Sequence, residues 1–160
     1  MRSSLSAFAA PDSASTPLHV LAAEALGDWL DTQPERVRAW LATVGFRAAA
    51  GECVAVPDAA GTGIALAVYG LGDARARARN RMALAGARGK LPLGTWHIAG
   101  GIDPVDLPEH LLGWLLAGYR FDRFTRRGAA EPPLPMLRAP LRQTRGAGVP
   151  IHRDTHIVAP

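Results

Sequence analysis

The sequence predicts a single α/β domain, in which a mixed sheet of short strands is flanked by helices. Two or three stretches with the apolar spacing of helices alternate with about four short apolar runs, of which three are followed directly by Gly or Pro. Such an alternation is typical of helices that pack on a sheet. The length of 160 residues fits one domain, which buries about two-thirds of its unfolded surface.

The predicted strands are short apolar runs with clear ends. They are residues 18–23, 53–56, 64–69 and 95–99, with another short strand near Met136. Pro57 ends the second run, and residues 58–63 (DAAGTG) form a turn. The second and third runs are therefore predicted to pair as a hairpin.

The first predicted helix follows Thr32. Thr32 and Glu35 have the S/T-x-x-E spacing of a capping box, Pro34 lies in the tolerant first turn, and Gly45 ends the helix. Its apolar residues recur at i, i+3, i+4 and i+7, and they are Val37, Trp40, Leu41 and Val44. This spacing predicts a helix with one apolar face.

The second predicted helix, residues 74–87 (ARARARNRMALAGA), is rich in arginine, and Asp73 is placed to cap it. A narrow apolar stripe is formed by Ala74, Ala78, Met82 and Ala85. Arginines flank the stripe on both sides, at Arg75, Arg77, Arg79 and Arg81. Because a two-residue spacing splits the charges between faces, a solvated flank is favoured over a nucleic-acid contact.

The third predicted helix, residues 108–121 (PEHLLGWLLAGYRF), has the strongest pattern. Its large apolar residues surround most of the helix, and they are Leu111, Leu112, Trp114, Leu115, Leu116 and Tyr119. A helix that is apolar nearly all round is either buried or covered by something else.

The two ends of the chain lack such patterns. Residues 1–16 are predicted to be a disordered tail rich in Ser, Ala and Pro, and residues 142–160 an irregular one. The domain is then expected to span residues 17–141. The apolar run at residues 7–10 is too short for a signal peptide, and no stretch approaches the roughly 20 apolar residues of a membrane span. A cytoplasmic protein without membrane contact is expected.

Candidate catalytic residues are few. The single cysteine, Cys53, excludes an intramolecular disulfide and fits a reducing compartment, and we interpret it as a small hydrophobe in a strand. His19, His97 and His110 are interpreted as hydrogen-bonded structural histidines, since no nucleophile and charge stabiliser accompany them. The sequence therefore predicts no complete active site.

Two further patterns are weak indications of a zinc site and of a phosphate-binding turn. His152 and His156 have the i, i+4 spacing of a helical zinc site, but Pro150 argues against a helix and Arg153 stands where such a motif needs glutamate. The glycine-rich turn at residues 70–72 follows a strand and precedes a helix, as phosphate-binding turns do. It lacks the third glycine, and the acidic residue that follows it would oppose a phosphate. An ordinary strand-to-helix turn is favoured.

Residues 111–127 (LLGWLLAGYRFDRFTRR) resemble the segment that closes the amino-terminal domain of leucyl (cytosol) aminopeptidases. In that family a Leu-rich helix runs into a Tyr-x-Phe-aromatic pattern followed by basic residues. The matching positions are Leu115, Leu116, Gly118, Tyr119, Phe121, Asp122, Arg123 and Phe124. The glycine turn at 70–72 and a proline-rich exit at 131–135 match in order, so the similarity covers about residues 17–141.

The resemblance implies a fold similar to macro domains, placed before a larger catalytic domain that binds two divalent metals, zinc or manganese. The family's catalytic Asn-Thr-Asp-Ala-Glu-Gly-Arg segment is not in this sequence, and Lys90, the only lysine, lies too early to be the catalytic one. After about Leu141 the sequence departs from the family pattern. A truncated or frame-disrupted gene would produce such an ending. We therefore expect no peptidase activity, cofactor or metal site in this chain alone.

Three functions compete. The favoured one is an assembly or regulatory domain, whose partner is an aminopeptidase catalytic domain or sister subunits. The second is a nucleic-acid-binding module, because nine arginines could form a basic surface, and the resemblance implies that some family members contribute to DNA binding through this domain; the net charge of +4 permits such contact without arguing for it. Its candidate contacts are Arg75, Arg77, Arg79, Arg81, Arg123, Arg126 and Arg127, with Arg88 and Arg120. The third is a macro-like domain that binds a small ligand such as a nucleotide, which is an analogy of fold alone.

Overall fold

The computed structural model of the chain describes residues 8–9, 14–118 and 135–138. The strands within them are β1 (Phe8–Ala9), β2 (Thr16–Ala22), β3 (Cys53–Pro57), β4 (Ile64–Gly72), β5 (Thr95–Gly100) and β6 (Met136–Arg138). The α-helices within them are α1 (Leu26–Asp31), α2 (Glu35–Val44), α3 (Ala74–Arg79), α4 (Leu84–Arg88) and α5 (Leu107–Ala117). A 3-10 turn at Ala23–Ala25 leads into α1.

The strands form one mixed sheet in the order β1-β6-β5-β2-β4-β3. β3 pairs antiparallel with β4, and the other neighbours pair in parallel. Parallel neighbours need long connections, and the helices lie in them: α1 and α2 after β2, α3 and α4 after β4, and α5 after β5. The predicted α/β class, the mixed sheet and the hairpin are confirmed.

Each face of the sheet carries its own apolar core. The front core joins β2, β4, β5 and β6 to α4 and α5, and its largest buried side chains are Tyr69, Trp96 and Trp114. The back core joins β2, β3 and β4 to α1 and α2, with Val37 and Leu41 fully covered. We call α4 and α5 the front layer and α1 and α2 the back layer.

Helix α2 follows the predicted pattern at its end but not at its start. Gly45 ends the helix in the left-handed conformation, with φ of +71°. The predicted capping box is wrong, because Pro34 is the N-cap and makes no side-chain cap hydrogen bond. Thr32 instead caps the end of α1, where its Oγ1 donates to the Trp29 carbonyl at 2.7 Å. Because α1 ends only a few residues before α2 begins, Thr32 caps the end of α1 and not the start of α2.

The arginine-rich segment forms two short helices instead of the single predicted one. Asp73 caps α3 as predicted, since its Oδ1 accepts a hydrogen bond from the Ala76 N–H at 2.7 Å. The helix ends at Asn80, whose backbone (φ −133°, ψ 77°) is not helical. The break brings the following turn to the sheet, where Tyr69 Oη donates to the Ala83 carbonyl at 2.8 Å.

The predicted apolar stripe on this segment is wrong for the same reason. Ala74, Ala78 and Met82 are exposed, and Ala85 is only partly buried. The buried residues are Ala83, Leu84, Ala87 and Arg88. The break at Asn80 changes the phase of the residues after it, so a continuous helix gives the wrong face.

The N-terminal segment also differs from the predicted tail. Phe8 and Ala9 pair in parallel with Leu137 and Arg138 at the edge of the sheet. Phe8 packs against the front core. A strand of two residues carries too little periodicity to be found in a sequence.

Candidate functional site

Helix α5 is the most apolar helix of the described chain, and its two sides differ. Its buried residues are His110, Gly113 and Trp114. A Cβ at Gly113 would lie 2.7 Å from the Met82 carbonyl oxygen, so glycine is required for this close approach. On the outer side, Leu112 and Leu116 are 44% and 48% exposed. One side is therefore buried and the other open; no helix in the described part of the chain is long and apolar enough to cross a bilayer.

Arg88, in the last turn of α4, lies in the front core and not on the predicted basic surface, being only 4% exposed. Its Nη1 donates to the Trp114 carbonyl at 2.9 Å and its Nε to the Pro135 carbonyl at 3.3 Å. The guanidinium also lies 5.5 Å from the centroid of the Trp114 ring. Burial lowers the pKa of Arg88. This cation connects α4, α5 and the residue before β6, so it cannot contact a nucleic acid.

The arginines of α3 and the turn after it do not form one basic surface. Arg77 donates to both carboxylate oxygens of Glu24 and to the Gly72 carbonyl, the last at 3.0 Å. Arg81 Nε pairs with Glu109 Oε2 at 2.7 Å. Two of the four charges are therefore already matched by acids.

Arg75 and Arg79 are the exposed remainder, with no ion pair to any described acid. The other predicted nucleic-acid contacts, Arg120, Arg123, Arg126 and Arg127, lie outside the described residues. Among the predicted contacts that fall in the described part of the chain, only Arg75 and Arg79 are therefore exposed without an acidic partner.

Gly70 and Gly72 belong to β4, which runs three residues further than predicted. A Cβ at Gly70 would lie 2.2 Å from the Ala49 carbonyl oxygen, and Gly72 has φ of +75°. Both glycines are explained by close backbone packing and by a left-handed position. Because Asp73 already caps α3, the connection has the features of an ordinary strand-to-helix turn.

A cleft of about 510 Å³ opens at the carboxyl ends of β2, β4 and β5. Its apolar lining residues include Ala22, Leu71 and Ile102. Its polar lining residues come from the turn after α3, the loop before α5 and the first turn of α5, and they include Asn80, Arg81, Asp103, Asp106, Glu109 and His110. In open α/β sheets, ligands bind outside the carboxyl ends of strands, at the point where neighbouring strands lead into connections on opposite faces of the sheet. Here β2 leads into the back layer, whereas its neighbours β4 and β5 lead towards the front layer.

His110 is the most unusual group in this cleft. It is 7% exposed, and its Nδ1 has no hydrogen-bond partner among the described residues. The hydrogen bond expected of a structural histidine is therefore absent at this ring nitrogen. Burial lowers the pKa of His110, although the carboxylates of Asp106 and Glu109 act in the opposite direction. A buried polar atom without a partner costs about 1–3 kcal/mol, so it calls for an explanation.

His19 and His97 lie on neighbouring strands and do have partners, as predicted. Trp29 Nε1 donates to His19 Nδ1 at 3.2 Å, and Ser15 Oγ lies 3.0 Å from His97 Nδ1. Burial lowers the pKa of both rings; the charge of His97 lowers that of His19 further, and Arg138 does the same to His97. These are structural histidines that disfavour protonation.

Other side chains with reactive or ligating chemistry are also used structurally. Burial raises the pKa of the Cys53 thiol to about 11, which fits the predicted small hydrophobe in a strand. Lys90 Nζ donates to the Gly51 carbonyl at 2.5 Å. Across residues 8–9, 14–118 and 135–138, no group of three or more His, Cys, Asp or Glu could hold a metal ion.

One family model matches most of the chain. It is described as the N-terminal domain of M17 aminopeptidases, and it matches residues 16–136. The chain belongs to this family. The resemblance to leucyl aminopeptidases is thereby confirmed, although the aromatic and basic positions after Gly118 lie outside the described residues.

Two solved structures are similar to this M17 aminopeptidase domain. A cytosol aminopeptidase from Coxiella burnetii is 24% identical with a TM-score of 0.68, over 82% of this chain and 28% of that chain. The bottromycin maturation enzyme BotP, in complex with Mn, is 25% identical with a TM-score of 0.49, over 80% of this chain and 27% of that one. The chain thus spans somewhat over a quarter of the length of each. No curated protein matches it.

Two features of this M17 domain do not follow from its sequence pattern. Arg88 lies among surface arginines in the sequence but is buried in the structure, and the cleft is formed by residues that lie far apart in the chain. A partial signal for the cleft exists, because Asp106 and His110 are four residues apart at the start of an apolar helix. The strand ends that complete the cleft come together only through the order of the sheet.

Proposed function

We propose that the chain is the non-catalytic, assembly domain of an M17 aminopeptidase, and that it packs on a catalytic domain or on sister subunits through the outer side of α5. The observation that carries this proposal is the pair Leu112 and Leu116, half-exposed on a helix whose other side is anchored in the front core. A cytoplasmic location, expected from the composition, belongs to the same proposal.

The two leucines are well placed for a protein interface. They are four residues apart and therefore neighbours on one side of α5. Burying apolar surface contributes roughly 25 cal/mol per Å², and exposed apolar patches mark interaction surfaces. Gly113 and Arg88 fix the helix against its neighbours, so little order is lost when a partner binds.

The assembly role is tested with the full chain and two double variants. The chain is mixed with the separately produced catalytic domain of the Coxiella burnetii enzyme, and complexes are counted by native mass spectrometry. We expect either self-association or a complex with the catalytic domain, and loss of it when Leu112→Glu and Leu116→Glu are combined. The matched control is Leu93→Glu with Val105→Glu, because these residues are also exposed, at 63% and 77%, but lie outside α5. A chain that stays monomeric in every mixture contradicts the proposal.

The proposal that the chain is not catalytic on its own is tested by a peptidase assay. Hydrolysis of leucine amide by the purified chain, with added manganese or zinc, should stay at background. Turnover that survives purification and co-elutes with the chain would overturn this part.

The nucleic-acid alternative has less support in the described residues, because Glu24 and Glu109 neutralise Arg77 and Arg81 and Arg88 is buried. Its sign would be retention on duplex DNA that weakens steeply with salt. The nucleotide alternative also has less support, because carboxylates line the cleft and a pyrophosphate is anionic. A rise in melting temperature with ADP-ribose would revive it.

A further inference from the structure

We propose that the back face of the sheet at β2, β5 and β6 binds a small oxyanion, a carboxylate or a phosphate group, through His19, His97 and Arg138. Three observations carry the proposal. The three side chains lie side by side on one face, their outer nitrogen atoms have no partner among the described residues, and no described carboxylate pairs with them. The proposal is independent of the assembly role, which uses the outer side of α5.

The pairing of the strands places the three side chains next to one another. The residue before each of them in its strand is buried in the front core, so His19, His97 and Arg138 themselves face the back. In the pairing of β2 with β5, His97 lies opposite the residue two positions before His19. β5 and β6 pair with Trp96 opposite Leu137, so His97 and Arg138 come next in the same register. Neighbouring strands are about 4.8 Å apart, so the three strands span only about 10 Å.

The helices of the back layer do not extend over this part of the sheet. Among the described residues, the back core takes its members from β2, β3, β4, α1, α2 and the loop after α2, and none from β5 or β6. Trp29 of α1 lies at the border of the site, with its ring centroid 5.1 Å from that of His19. Beyond this border His97 and Arg138 are only half-buried. A small ligand can therefore reach them from the solvent.

The hydrogen bond from Trp29 fixes which nitrogen of His19 carries the proton. An indole N–H can only donate, and Trp29 Nε1 donates to His19 Nδ1 at 3.2 Å. Because Nδ1 is the acceptor, a neutral His19 carries its proton on Nε2. His110 Nδ1 is the one buried side-chain nitrogen or oxygen without a partner in the described part of the chain, so the unpaired Nε2 of His19 is open to solvent. His19 therefore offers an N–H donor to a ligand.

His97 and Arg138 add a second ring and a permanent positive charge. His97 Nδ1 lies 3.0 Å from the Ser15 hydroxyl, and its Nε2 is unpaired and open in the same way as that of His19. Burial and then the charge of Arg138 lower the pKa of His97, whereas the backbone of Ser15 favours its protonated form. A bound anion would offset the charge of Arg138 and favour the imidazolium, whose two nitrogens both donate. Arg138 has no ion pair with a described acid.

The same contacts disfavour a metal ion at this site. A metal would need the Nε2 of His19 without its proton, and a proton moved to Nδ1 would oppose the Trp29 N–H. The guanidinium of Arg138 would also repel a cation. The acids of the adjacent helix α1, Asp28 and Asp31, are exposed, and no carboxylate is among the groups that shift the pKa of either histidine. The site therefore suits an anion.

The proposal is tested on the full chain by NMR of the histidine ring nitrogens. Acetate is the carboxylate probe and sulfate represents a phosphate group, and chloride keeps the ionic strength constant. We expect saturable shifts at Nε2 of His19 and His97 with at least one probe, and the tighter one identifies the ligand class. Binding should tighten as the pH falls below about 6.5, where histidine takes up protons. Shifts that do not saturate with either probe, or that chloride reproduces, overturn the proposal.

Variants locate the site. Arg138→Gln should weaken binding about fivefold, and His97→Gln should reduce the gain in affinity at low pH. The matched control Arg79→Gln, at an exposed arginine of α3, should leave binding unchanged. A further readout needs no substitution: in the unchanged chain His19 should carry its proton on Nε2, and zinc chloride should shift neither Nε2. Equal weakening by the control, a His19 protonated at Nδ1, or zinc bound at the two rings would overturn the proposal.

Discussion

Helices α2 and α5 lie in opposite layers, and both have apolar side chains exposed to solvent. The exposed side chains of the two helices differ in their contacts with the rest of the fold. On α2, Trp40 is 40% exposed, and its Nε1 donates to the Ala55 carbonyl at 3.2 Å. Arg36 on the same helix donates to the Pro57 carbonyl. Both acceptors belong to β3, the edge strand, so side chains of α2 cover an edge that could otherwise pair with another chain.

The exposed leucines of α5 do not cover a strand edge in the described part of the chain. Leu112 and Leu116 are aliphatic and can make no hydrogen bond, and half of each side chain faces away from the core. Exposure of an apolar side chain alone therefore does not identify an interface. An exposed tryptophan whose N–H is bonded belongs to the fold, whereas a pair of unpacked leucines on a fixed helix suits a partner.

The largest expected effect is a difference in the free energy of unfolding between a tryptophan substitution in the front layer and one in the back layer. Trp114 is fully buried in the front core, so Trp114→Ala should lower the free energy of unfolding by about 3–5 kcal/mol. Trp40→Ala removes a half-exposed ring and one hydrogen bond, and should cost about 1 kcal/mol. Urea denaturation monitored by circular dichroism measures both. Equal losses would show that the layers are not packed as described.

The next effect concerns the buried cation of the front layer. Arg88→Ala leaves the carbonyls of Trp114 and Pro135 without this donor and should cost about 1–3 kcal/mol. Arg88→Lys should recover only part of this, because an ammonium cannot reproduce the planar fork. Arg79→Ala, at an exposed site, should change stability by less than about 0.5 kcal/mol and serves as the control. A neutral Arg88→Ala would contradict the structural role of this side chain.

A smaller effect depends on pH. The pKa values of His19 and His97 are lowered from 6.5 by burial, so the unfolded chain binds more protons than the folded one below about pH 6.5. Their contribution to stability is complete above pH 6.5 and is lost as the pH falls through the folded-state pKa values. Thermal unfolding across this range should show the loss. Combining His19→Gln with His97→Gln should make the loss smaller, and the part that remains is assigned to His110, whose pKa burial also lowers. An unchanged pH slope in that variant would exclude these residues as its source.

The smallest change in stability is expected at the β3 edge. Combining Trp40→Ala with Arg36→Ala should cost only about 1–2 kcal/mol, yet it uncovers two carbonyls of an edge strand. We expect light scattering that increases with protein concentration. Scattering equal to that of the unchanged chain would show that α2 does not protect the edge.

The sequence predicts the fold where local patterns decide it. The strands at residues 53–57 and 95–100, the turn between the hairpin strands and the end of α2 at Gly45 all follow from short apolar runs, Pro and Gly. The family follows from residues 111–127, even though most of the distinctive positions lie after the last described residue of that segment.

The remaining features depend on contacts that no local pattern records. The break between α3 and α4 is tied to Tyr69, a residue of β4, and Arg88 is buried because α5 and β6 close over it. The cleft needs the ends of three strands side by side, which only the order of the sheet supplies. For this reason the sequence alone does not show that the charged residues lining the cleft lie near one another.

The measurement that tests the central claim most directly is hydrogen–deuterium exchange of the full chain, alone and in the complex that we expect to form in the native mass spectrometry experiment. We expect added protection across Leu107–Ala117, the residues of α5, and no change across Glu35–Val44, the residues of α2. Protection confined to α2, or none at either helix, would contradict an assembly role for the outer side of α5.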